Sequence, residues 1–342
     1  MKKVFHLLSM GGYSGAEKIA IEIITNSKEK YESFYLSSPG EIEGILKSKE
    51  IPHLIYNNPR ELLKIIKVEK PDILHCHDYK ASLLGSITNV KKIISHIHNN
   101  PPFAKRINVK SIAYLVSTLR FKKVICVSQK IKEEMWFSRF LGGKISVIHN
   151  WVNTLERNWE KQEERTVDLL FLGRFSEQKN PLLFIEVVEK LSKEFPHLNS
   201  LMVGDGPLKE EAIQYINEKK LQDIIKVQGF TNRPHYYMKK SKIFLLTSSW
   251  EGFGLVLLEA MLNGAFILAT PVGGVPEIIK NNENGFICNN KNEFVKFSRD
   301  ILKNHIQRER FEVEMKETVN SFNMNVQIEK ILKIYGEEKT NA

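Results

Sequence analysis

Residues 248–277 read SSWEGFGLVLLEAMLNGAFILATPVGGVPE. The apolar run just before this stretch predicts a buried strand, and the apolar block after Gly254 predicts a helix. Gly252 and Gly254 leave the backbone uncovered, so the first amide groups of the helix are predicted to face an anion such as a phosphate. Glu251 lies in the turn, and Glu259 follows eight residues later. Carboxylates beside an anion site suit a ligand that also carries hydroxyl groups, which predicts a nucleotide-sugar.

The whole chain has the composition of an ordinary globular protein. Its 342 residues are 42% hydrophobic and 26% charged, which predicts about two domains. The apolar run near the N-terminus is only about five residues long, and no run reaches the roughly 18 apolar residues of a spanning helix. We therefore expect a cytoplasmic protein. Cys76, Cys126 and Cys288 are predicted to be buried thiols rather than disulfides or metal ligands.

Short apolar runs alternate with helical segments along both halves of the chain. The first run is residues 4–8, and the second half restarts with residues 167–172. This alternation predicts an α/β fold with parallel sheets covered on both faces, and ligand residues at the carboxyl ends of the strands. The polar segment 150–166 is predicted to link the domains, and the tail after Glu277 is predicted to be helical.

Four histidines lie at or near the carboxyl ends of two predicted strands: His75, His77, His96 and His98. His75 and His77 stand two residues apart, and we expect them on opposite faces of their strand, so that they do not share an ion. No metal site is predicted. His98 ends its strand just before a loop and is therefore the functional candidate. At least one of His75 and His77 is expected to be a hydrogen-bonded core residue.

Glycine-rich turns follow several predicted strands. The sequence GRFSEQKNP, residues 173–181, places Arg174 and Lys179 between a strand and a helix. Arg can hold a phosphate with two donors, and Lys adds a point charge. Further turns lie at Gly204 and just before Phe230. In the first half, GGYSGAE at residues 11–17 lacks the full dinucleotide fingerprint, so NAD binding is not predicted.

These motifs together resemble a known family. The spacing Glu-x7-Glu with Gly-Phe-Gly between the acids, followed by TPVGGVPE, closely resembles the donor-site signature of the retaining family 4 glycosyltransferases. The resemblance implies the GT-B fold, two Rossmann-like β/α/β domains facing across a cleft. It implies domains of residues 1–155 and 166–323, with the last helix, about residues 324–342, returning to the first. Trp151 departs from the pattern, because the family often has Gly there.

The resemblance implies a hexosyltransferase that moves a sugar from a nucleoside-diphosphate donor to an acceptor hydroxyl with retained anomeric configuration. A UDP-sugar is the favoured donor, and no metal or other cofactor is expected. Glu251 would hold sugar hydroxyls, Glu259 the ribose, and His98 would orient the acceptor or stabilise the sugar. The implied catalytic residues are His98, Arg174, Lys179 and Glu251. The implied donor-binding residues are Gly15, Arg174, Lys179, Gly204, Phe230, Glu251, Gly252, Phe253, Gly254, Leu255 and Glu259.

Plain two-domain members of this family often build bacterial surface polysaccharides, which implies a lipid-linked or other saccharide as the acceptor. Two other functions stay open. A nucleotide-sugar 2-epimerase of the same architecture would convert the donor without an acceptor. A nucleotide-sugar-binding protein without catalysis would bind the donor and form no product.

The charge is unevenly distributed. The formal net charge is +10, and the first 150 residues hold 24 Lys and Arg against 13 Asp and Glu. A helical pattern over residues 106–121 places Ile112, Leu115, Val116 and Leu119 on one face. These features suit peripheral binding to anionic lipid on the inner face of the cell membrane. An anionic acceptor, general solubility and a core-facing helix stay open. Nucleic-acid binding is not expected, because no basic motif interleaved with aromatic residues accompanies the charge.

Overall fold

A computed structural model of the chain describes residues 1–153, 164–306 and 308–336. The chain divides into two compact units. The first unit comprises Met1–Trp151 and the chain from Met324, and the second unit is Val152–Asn323. Most of the predicted linker, residues 154–163, lies outside the described residues.

The first unit is built on a parallel sheet of seven strands in the order β3-β2-β1-β4-β5-β6-β7. The strands are β1 (Lys2–Leu7), β2 (Tyr31–Ser37), β3 (His53–Ile55), β4 (Ile73–Cys76), β5 (Lys92–Ile97), β6 (Phe121–Cys126) and β7 (Ile145–Val147). The helices are α1 (Gly15–Ser27), α2 (Ile42–Ser48), α3 (Pro59–Glu69), α4 (Tyr79–Ser86), α5 (Val109–Ser117), α6 (Gln129–Glu134) and the last helix, α14 (Met324–Gly336).

The second unit has a six-stranded parallel sheet in the order β10-β9-β8-β11-β12-β13. The strands are β8 (Val167–Leu172), β9 (Ser200–Val203), β10 (Ile225–Gln228), β11 (Ser241–Leu246), β12 (Phe266–Ala269) and β13 (Phe286–Ile287). The helices are α7 (Pro181–Ser192), α8 (Lys209–Glu218), α9 (Pro234–Lys240), α10 (Leu255–Leu262), α11 (Val275–Ile278), α12 (Lys291–Leu302) and α13 (Arg308–Ser321).

Both sheets have the strand order of a Rossmann-like domain. In each, the first strand lies inside the sheet and the order changes direction beside it, between β1 and β4 and between β8 and β11. In open parallel sheets ligands bind at the carboxyl ends of the strands at this switch point. The topology therefore indicates a candidate site in each unit, at the carboxyl ends of the strands beside the switch point.

Local sequence signals explain where several helices begin. Asn58 accepts a hydrogen bond from the Glu61 amide and precedes Pro59 at the start of α3. Asn180 does the same for Leu183 at the start of α7, where the sequence is again Asn-Pro. An Asn cap satisfies an otherwise unpaired amide, and Pro fits the first helical position.

Side-chain hydrogen bonds join Trp151 and the last helix, α14, to the rest of the first unit. The Trp151 side chain is fully buried, and its indole Nε1 donates to Glu22 Oε2 in α1 at 2.5 Å. In α14 the Tyr335 hydroxyl lies 2.6 Å from His75 Nδ1. The residue that departs from the family pattern is thus an anchor on α1.

The sequence predicts a helix in the apolar block after Gly254, but the structure has a helix followed by a strand there. The helix α10 ends at Leu262, Gly264 adopts a left-handed conformation with φ +71°, and the remaining apolar residues form β12. The tail after Glu277 likewise contains the short strand β13 before its helices. Composition alone cannot locate such a break, because buried strands and helices are equally apolar.

The three cysteines are buried free thiols, as predicted. None of the helices in the described part of the chain is both long and apolar enough to span a bilayer.

Candidate active site

Two loops meet at the switch point of the second unit. The chain leaving β8 leads to Lys179, and the chain leaving β11 leads to Glu251. Lys179 Nζ lies 2.6 Å from Glu251 Oε1, and the Ser248 hydroxyl donates to the same oxygen at 2.6 Å. Glu251 is only 6% exposed. The two residues predicted for different parts of the donor therefore form one nearly buried ion pair.

Backbone and side-chain hydrogen bonds hold the two loops together around this pair. The Ser249 amide donates to the Gln178 carbonyl at 2.7 Å, and Gln178 Nε2 donates to the Trp250 carbonyl at 3.0 Å. The Thr247 hydroxyl lies 3.0 Å from the Lys179 carbonyl oxygen. The loops are thereby fixed where their strands end, which limits how far the two charged side chains can move.

The ion pair leaves hydrogen-bonding capacity for a ligand. Glu251 Oε1 accepts from both neighbours, whereas Oε2 has no hydrogen-bond partner among the residues the structure describes. An ammonium group has three donors, and Glu251 occupies one on Lys179. Arg174 is exposed and has no ion-pair partner within the described ranges. The Glu251 Oε2 acceptor and the cationic groups of Lys179 and Arg174 are therefore available to a ligand beyond the carboxyl ends of β8 and β11.

Two glycines are required by close packing at this edge. Gly204 has φ +143°, and a Cβ there would overlap the Gly173 carbonyl oxygen. Gly273 has φ +52°, and a Cβ there would overlap the Glu251 carbonyl oxygen. Beside it, the Gly274 amide donates to the Gly252 carbonyl at 3.0 Å. The Gly-Gly of the TPVGGVPE motif thus closes against the turn that carries Glu251.

The remaining predicted donor residues of the second unit differ in exposure. Gly254 has φ +92° and directly precedes α10, and the half-buried Glu259 is the fifth residue of that helix. Phe253 and Leu255 have buried side chains, and Phe253 packs edge-on against Phe322 at 5.2 Å. These two can therefore offer a ligand only their backbone. Phe230 is exposed and follows β10.

Two predicted residues, Gly15 and His98, belong to the first unit. Gly15 is the first residue of α1, and His98 directly follows β5. The sequence analysis missed two acids nearby. Glu17 is buried in α1 and accepts from the Ser14 hydroxyl, and burial raises the pKa of its carboxyl despite that hydrogen bond.

The second missed acid is Asp78, which caps α4. It accepts from the Ala81 amide at 2.6 Å and from the Ser9 hydroxyl at 2.8 Å. An Asp directly after a strand and before a helix is a cap signal that the sequence did contain.

The expectation that His75 and His77 point to opposite faces of their strand is wrong. Side chains alternate along a strand, so residues two apart share a face. The two rings stack with centroids 4.2 Å apart. One ring nitrogen each from His6, His75 and His77, and likewise from His77, His96 and His98, lie within 4.8 Å of one another. The geometric argument against a shared ion therefore fails.

The apolar face of α5 points away from the core. Val109 is 84% exposed, Ile112 and Val116 are exposed, and Leu119, two residues beyond the end of the helix, is 78% exposed. The residues α5 buries are Ser111, Tyr114 and Ser117. The interpretation of this stretch as an ordinary core-facing helix is therefore wrong.

Comparison with known proteins assigns the family. Residues 153–318 match the family model described as Glycosyl transferases group 1, and residues 16–156 match the one described as Glycosyltransferase Family 4. The two matches together span most of the chain. The chain belongs to the family 4 glycosyltransferases, and it is an enzyme of the hexosyltransferase class.

Individual relatives and solved structures agree with this assignment. The capsular polysaccharide biosynthesis glycosyltransferase CapH of Staphylococcus aureus is 26% identical over 298 residues, 80% of this chain and 82% of CapH. The UDP-Gal:alpha-D-GlcNAc-diphosphoundecaprenol alpha-1,3-galactosyltransferase of Escherichia coli is 28% identical over 303 residues, 80% of this chain and 77% of that enzyme.

Among solved structures, the Anabaena protein HepE in complex with UDP and glucose has a TM-score of 0.88 and 18% identity, and the match covers 98% of this chain and all of HepE. The fold of the chain is GT-B.

Proposed function

We propose that the enzyme transfers a hexose from a UDP-sugar to a hydroxyl of a lipid-linked saccharide, with retention of anomeric configuration, during synthesis of a surface polysaccharide. The observation that carries this proposal is the Lys179–Glu251 ion pair at the switch point of the second unit, with a free carboxylate oxygen and the exposed Arg174 close by in the sequence. The named substrates of the Escherichia coli relative and the UDP bound to HepE support the choice of donor.

The reaction places negative charge on the leaving group. The bond from the sugar C1 to the UDP oxygen breaks, a bond from C1 to the acceptor oxygen forms on the same face, and the acceptor proton passes to a diphosphate oxygen. Arg174, Lys179 and the first amides of α10 stabilise the developing charge. We propose that these groups do this without a metal ion.

Each carboxylate has its own role in this proposal. Lys179 and Ser248 bind Glu251 Oε1, and Oε2 accepts from a hydroxyl of the donor sugar. Glu259 accepts from the ribose hydroxyls. His98 orients reacting groups and is not the acid, because burial lowers the pKa of its imidazole to about 3, an effect that Asn150 opposes in part.

Product analysis tests this function. The enzyme is incubated with labelled UDP-hexoses and an undecaprenyl-diphosphate saccharide, and the anomeric proton coupling of the product is read by NMR. We expect an α-linked product from an α-linked donor. Glu251→Gln is expected to lose transfer, and Glu177→Gln, an exposed acid on the loop after β8, is the matched control.

An inverted product would contradict retention. Conversion of the donor without acceptor would instead identify an epimerase, and binding without turnover a silent binding protein.

We also propose that the enzyme works peripherally at the inner face of the cell membrane. The apolar patch is defined as Ile107, Val109, Ile112, Val116, Leu119 and Phe140, all of them exposed. Trp136 contacts both α5 and Phe140, since its indole donates to Ser111 on the buried face of α5 and its ring meets Phe140 edge-on. From residue 91 to 150 the sequence holds twelve cations and two acids. Apolar side chains surrounded by cations suit an anionic bilayer.

Liposome co-sedimentation tests the membrane proposal. We expect binding to vesicles with phosphatidylglycerol, weaker binding to phosphatidylcholine alone, and loss of binding in Val116→Ser/Leu119→Ser. Val68→Ser, an exposed apolar residue of α3 outside the patch, is the control. Equal sedimentation of the patch variant and the control would contradict the proposal.

A further inference from the structure

Five histidines cluster at the carboxyl ends of β1, β4 and β5, which are neighbouring strands of the first sheet. His6 lies in β1, His75 and His77 lie in and directly after β4, and His96 and His98 lie in and directly after β5. The first four are fully buried, and His98 is partly exposed. The proposed transfer gives a role only to His98.

A first row of three rings ends in His98. His6 Nδ1 lies 3.0 Å from His77 Nε2, and His77 Nδ1 lies 3.1 Å from His98 Nε2. Adjacent ring planes differ by 24° and 18°, with centroids 5.2 and 5.3 Å apart. Nearly coplanar rings at these distances form edge-to-edge hydrogen bonds.

A second row lies against the first. The Tyr335 hydroxyl is 2.6 Å from His75 Nδ1, and His75 Nε2 is 3.2 Å from His96 Nδ1. The rows touch through ring faces, with centroids 4.2 Å apart for His75 and His77 and 4.0 Å apart for His96 and His98. The second row therefore packs on the first without sharing its hydrogen bonds.

The spacing within the first row favours hydrogen bonds over a bridging metal ion. A tetrahedral ion about 2.0–2.1 Å from two ring nitrogens would hold them about 3.3 Å apart and would lie off the line between them, whereas the lone pairs of nearly coplanar facing rings point along that line. The observed separations are 3.0 and 3.1 Å. Each facing pair therefore shares one proton between two nitrogens.

The tautomers along the row are coupled. A neutral imidazole has one N–H and one lone pair, so the direction of one hydrogen bond determines the direction of the next. The two end atoms of the row, His6 Nε2 and His98 Nδ1, are buried and have no hydrogen-bond partner within the described chain. In either direction of the row, one of these end atoms carries a proton and the other a lone pair.

The end proton is better placed on His98 Nδ1, because His98 is partly exposed whereas His6 is fully buried, and an unpartnered donor is the less tolerated of the two in the interior. The rest of the row then follows. His98 Nε2 accepts from His77 Nδ1–H, and His77 Nε2 accepts from His6 Nδ1–H. The unpartnered His6 Nε2 is left with a lone pair, and a buried acceptor without a partner is tolerated more often than a buried donor.

We propose that His6 and His77 are positioning residues, which hold the His98 ring in one orientation and in the tautomer with its proton on Nδ1. The proposal rests on the proposed function for the importance of His98. The tautomer itself is read in the absence of substrate, so a failure of this proposal is distinguishable from a failure of the transfer reaction.

Two-bond proton–nitrogen correlation NMR of the full-length chain, labelled with 15N-histidine, tests the proposal. This spectrum shows which ring nitrogen carries the proton, and His98→Gln assigns the His98 signals by their loss. We expect the Nδ1–H tautomer for His98 in the wild type. In His77→Phe we expect a mixture of tautomers and about tenfold lower kcat/KM.

Two further variants separate hydrogen bonding from packing. His77→Gln keeps an amide donor for His98 Nε2 and is expected to restore the Nδ1–H tautomer. His96→Phe removes a ring stacked on His98 but no hydrogen bond of the first row, and is expected to leave the tautomer unchanged. A proton on Nε2 in the wild type, an unchanged tautomer in His77→Phe, or stoichiometric bound metal in the purified enzyme would overturn the proposal.

Discussion

Removing the cation of the Lys179–Glu251 pair should destabilise the second unit and abolish transfer by two separable effects. Loss of one partner from a buried ion pair costs about 3–5 kcal/mol of unfolding free energy, because a charge is left buried and unpaired. The Lys179 side chain is 22% exposed and that of Glu251 is 8% exposed, so water partly screens the pair. With Ser248 still donating to the carboxylate, we expect about 2–3 kcal/mol for Lys179→Met.

The double variant Lys179→Met/Glu251→Gln tests this explanation. It removes the stranded charge and keeps the Ser248 hydrogen bond, so its stability is expected within about 1 kcal/mol of the wild type, a coupling of about 2 kcal/mol. Transfer is expected to stay lost in the double variant, because the cation for the diphosphate is still missing.

The assay is urea unfolding of the full-length chain labelled with 5-fluorotryptophan, in which the Trp250 signal in 19F NMR reports the second unit. Unchanged stability in Lys179→Met, or a double variant as unstable as the single one, would refute the explanation. Recovery of transfer in the double variant would remove Lys179 from the proposed chemistry.

Three further outcomes are expected. Gly273→Ala should lower stability by at least the roughly 1–2 kcal/mol of a left-handed conformation and should also slow transfer, because its Cβ displaces the Glu251 backbone; urea midpoints and initial rates at equal folded fraction check this. Glu259→Ala should weaken UDP binding by roughly 1.5–3 kcal/mol, and unchanged affinity in a calorimetric titration would exclude the ribose contact. Burial lowers the pKa of His6 from 6.5 to about 3. Below pH 6.5 the unfolded chain therefore binds a proton that the folded chain does not, and the free energy of unfolding decreases as the pH is lowered. The loss from His6 is about 1.6 kcal/mol between pH 6.5 and 5, and His6→Gln should show a smaller drop in urea midpoint over that interval.

The strands at the candidate site could be predicted from sequence, and the contacts between them could not. The run at residues 167–172 coincides with β8, because polar residues and Gly173 bound a short apolar segment. The sequence predicts both Lys179 and Glu251 as ligand residues, yet they stand 72 positions apart. Their ion pair forms because β8 and β11 are neighbours in the sheet, and the local periodicity of the sequence does not determine the order of the strands.

Other errors have specific causes. The apolar stripe that includes Ile112 has the period of a helix, but periodicity does not say which face meets the core, and Tyr114 on the other face is the buried one. The sequence does not predict strand β12, because β12 lies within an apolar block whose composition is typical of a helix. The histidine cluster is not predicted from the sequence, because His75 and His77 are expected there on opposite faces of their strand, whereas residues two apart on a strand share a face.

A thermal-shift titration of the full-length enzyme tests the central claim most directly, namely that the second unit binds a UDP-sugar through Glu251. A ligand at about 100 times its dissociation constant stabilises the folded state by roughly 2.7 kcal/mol. We predict a shift with UDP but not with GDP or ADP, a larger shift with the correct UDP-hexose, and loss of only that additional shift in Glu251→Gln. The absence of a UDP shift, or a UDP-hexose shift that Glu251→Gln leaves unchanged, would contradict the claim.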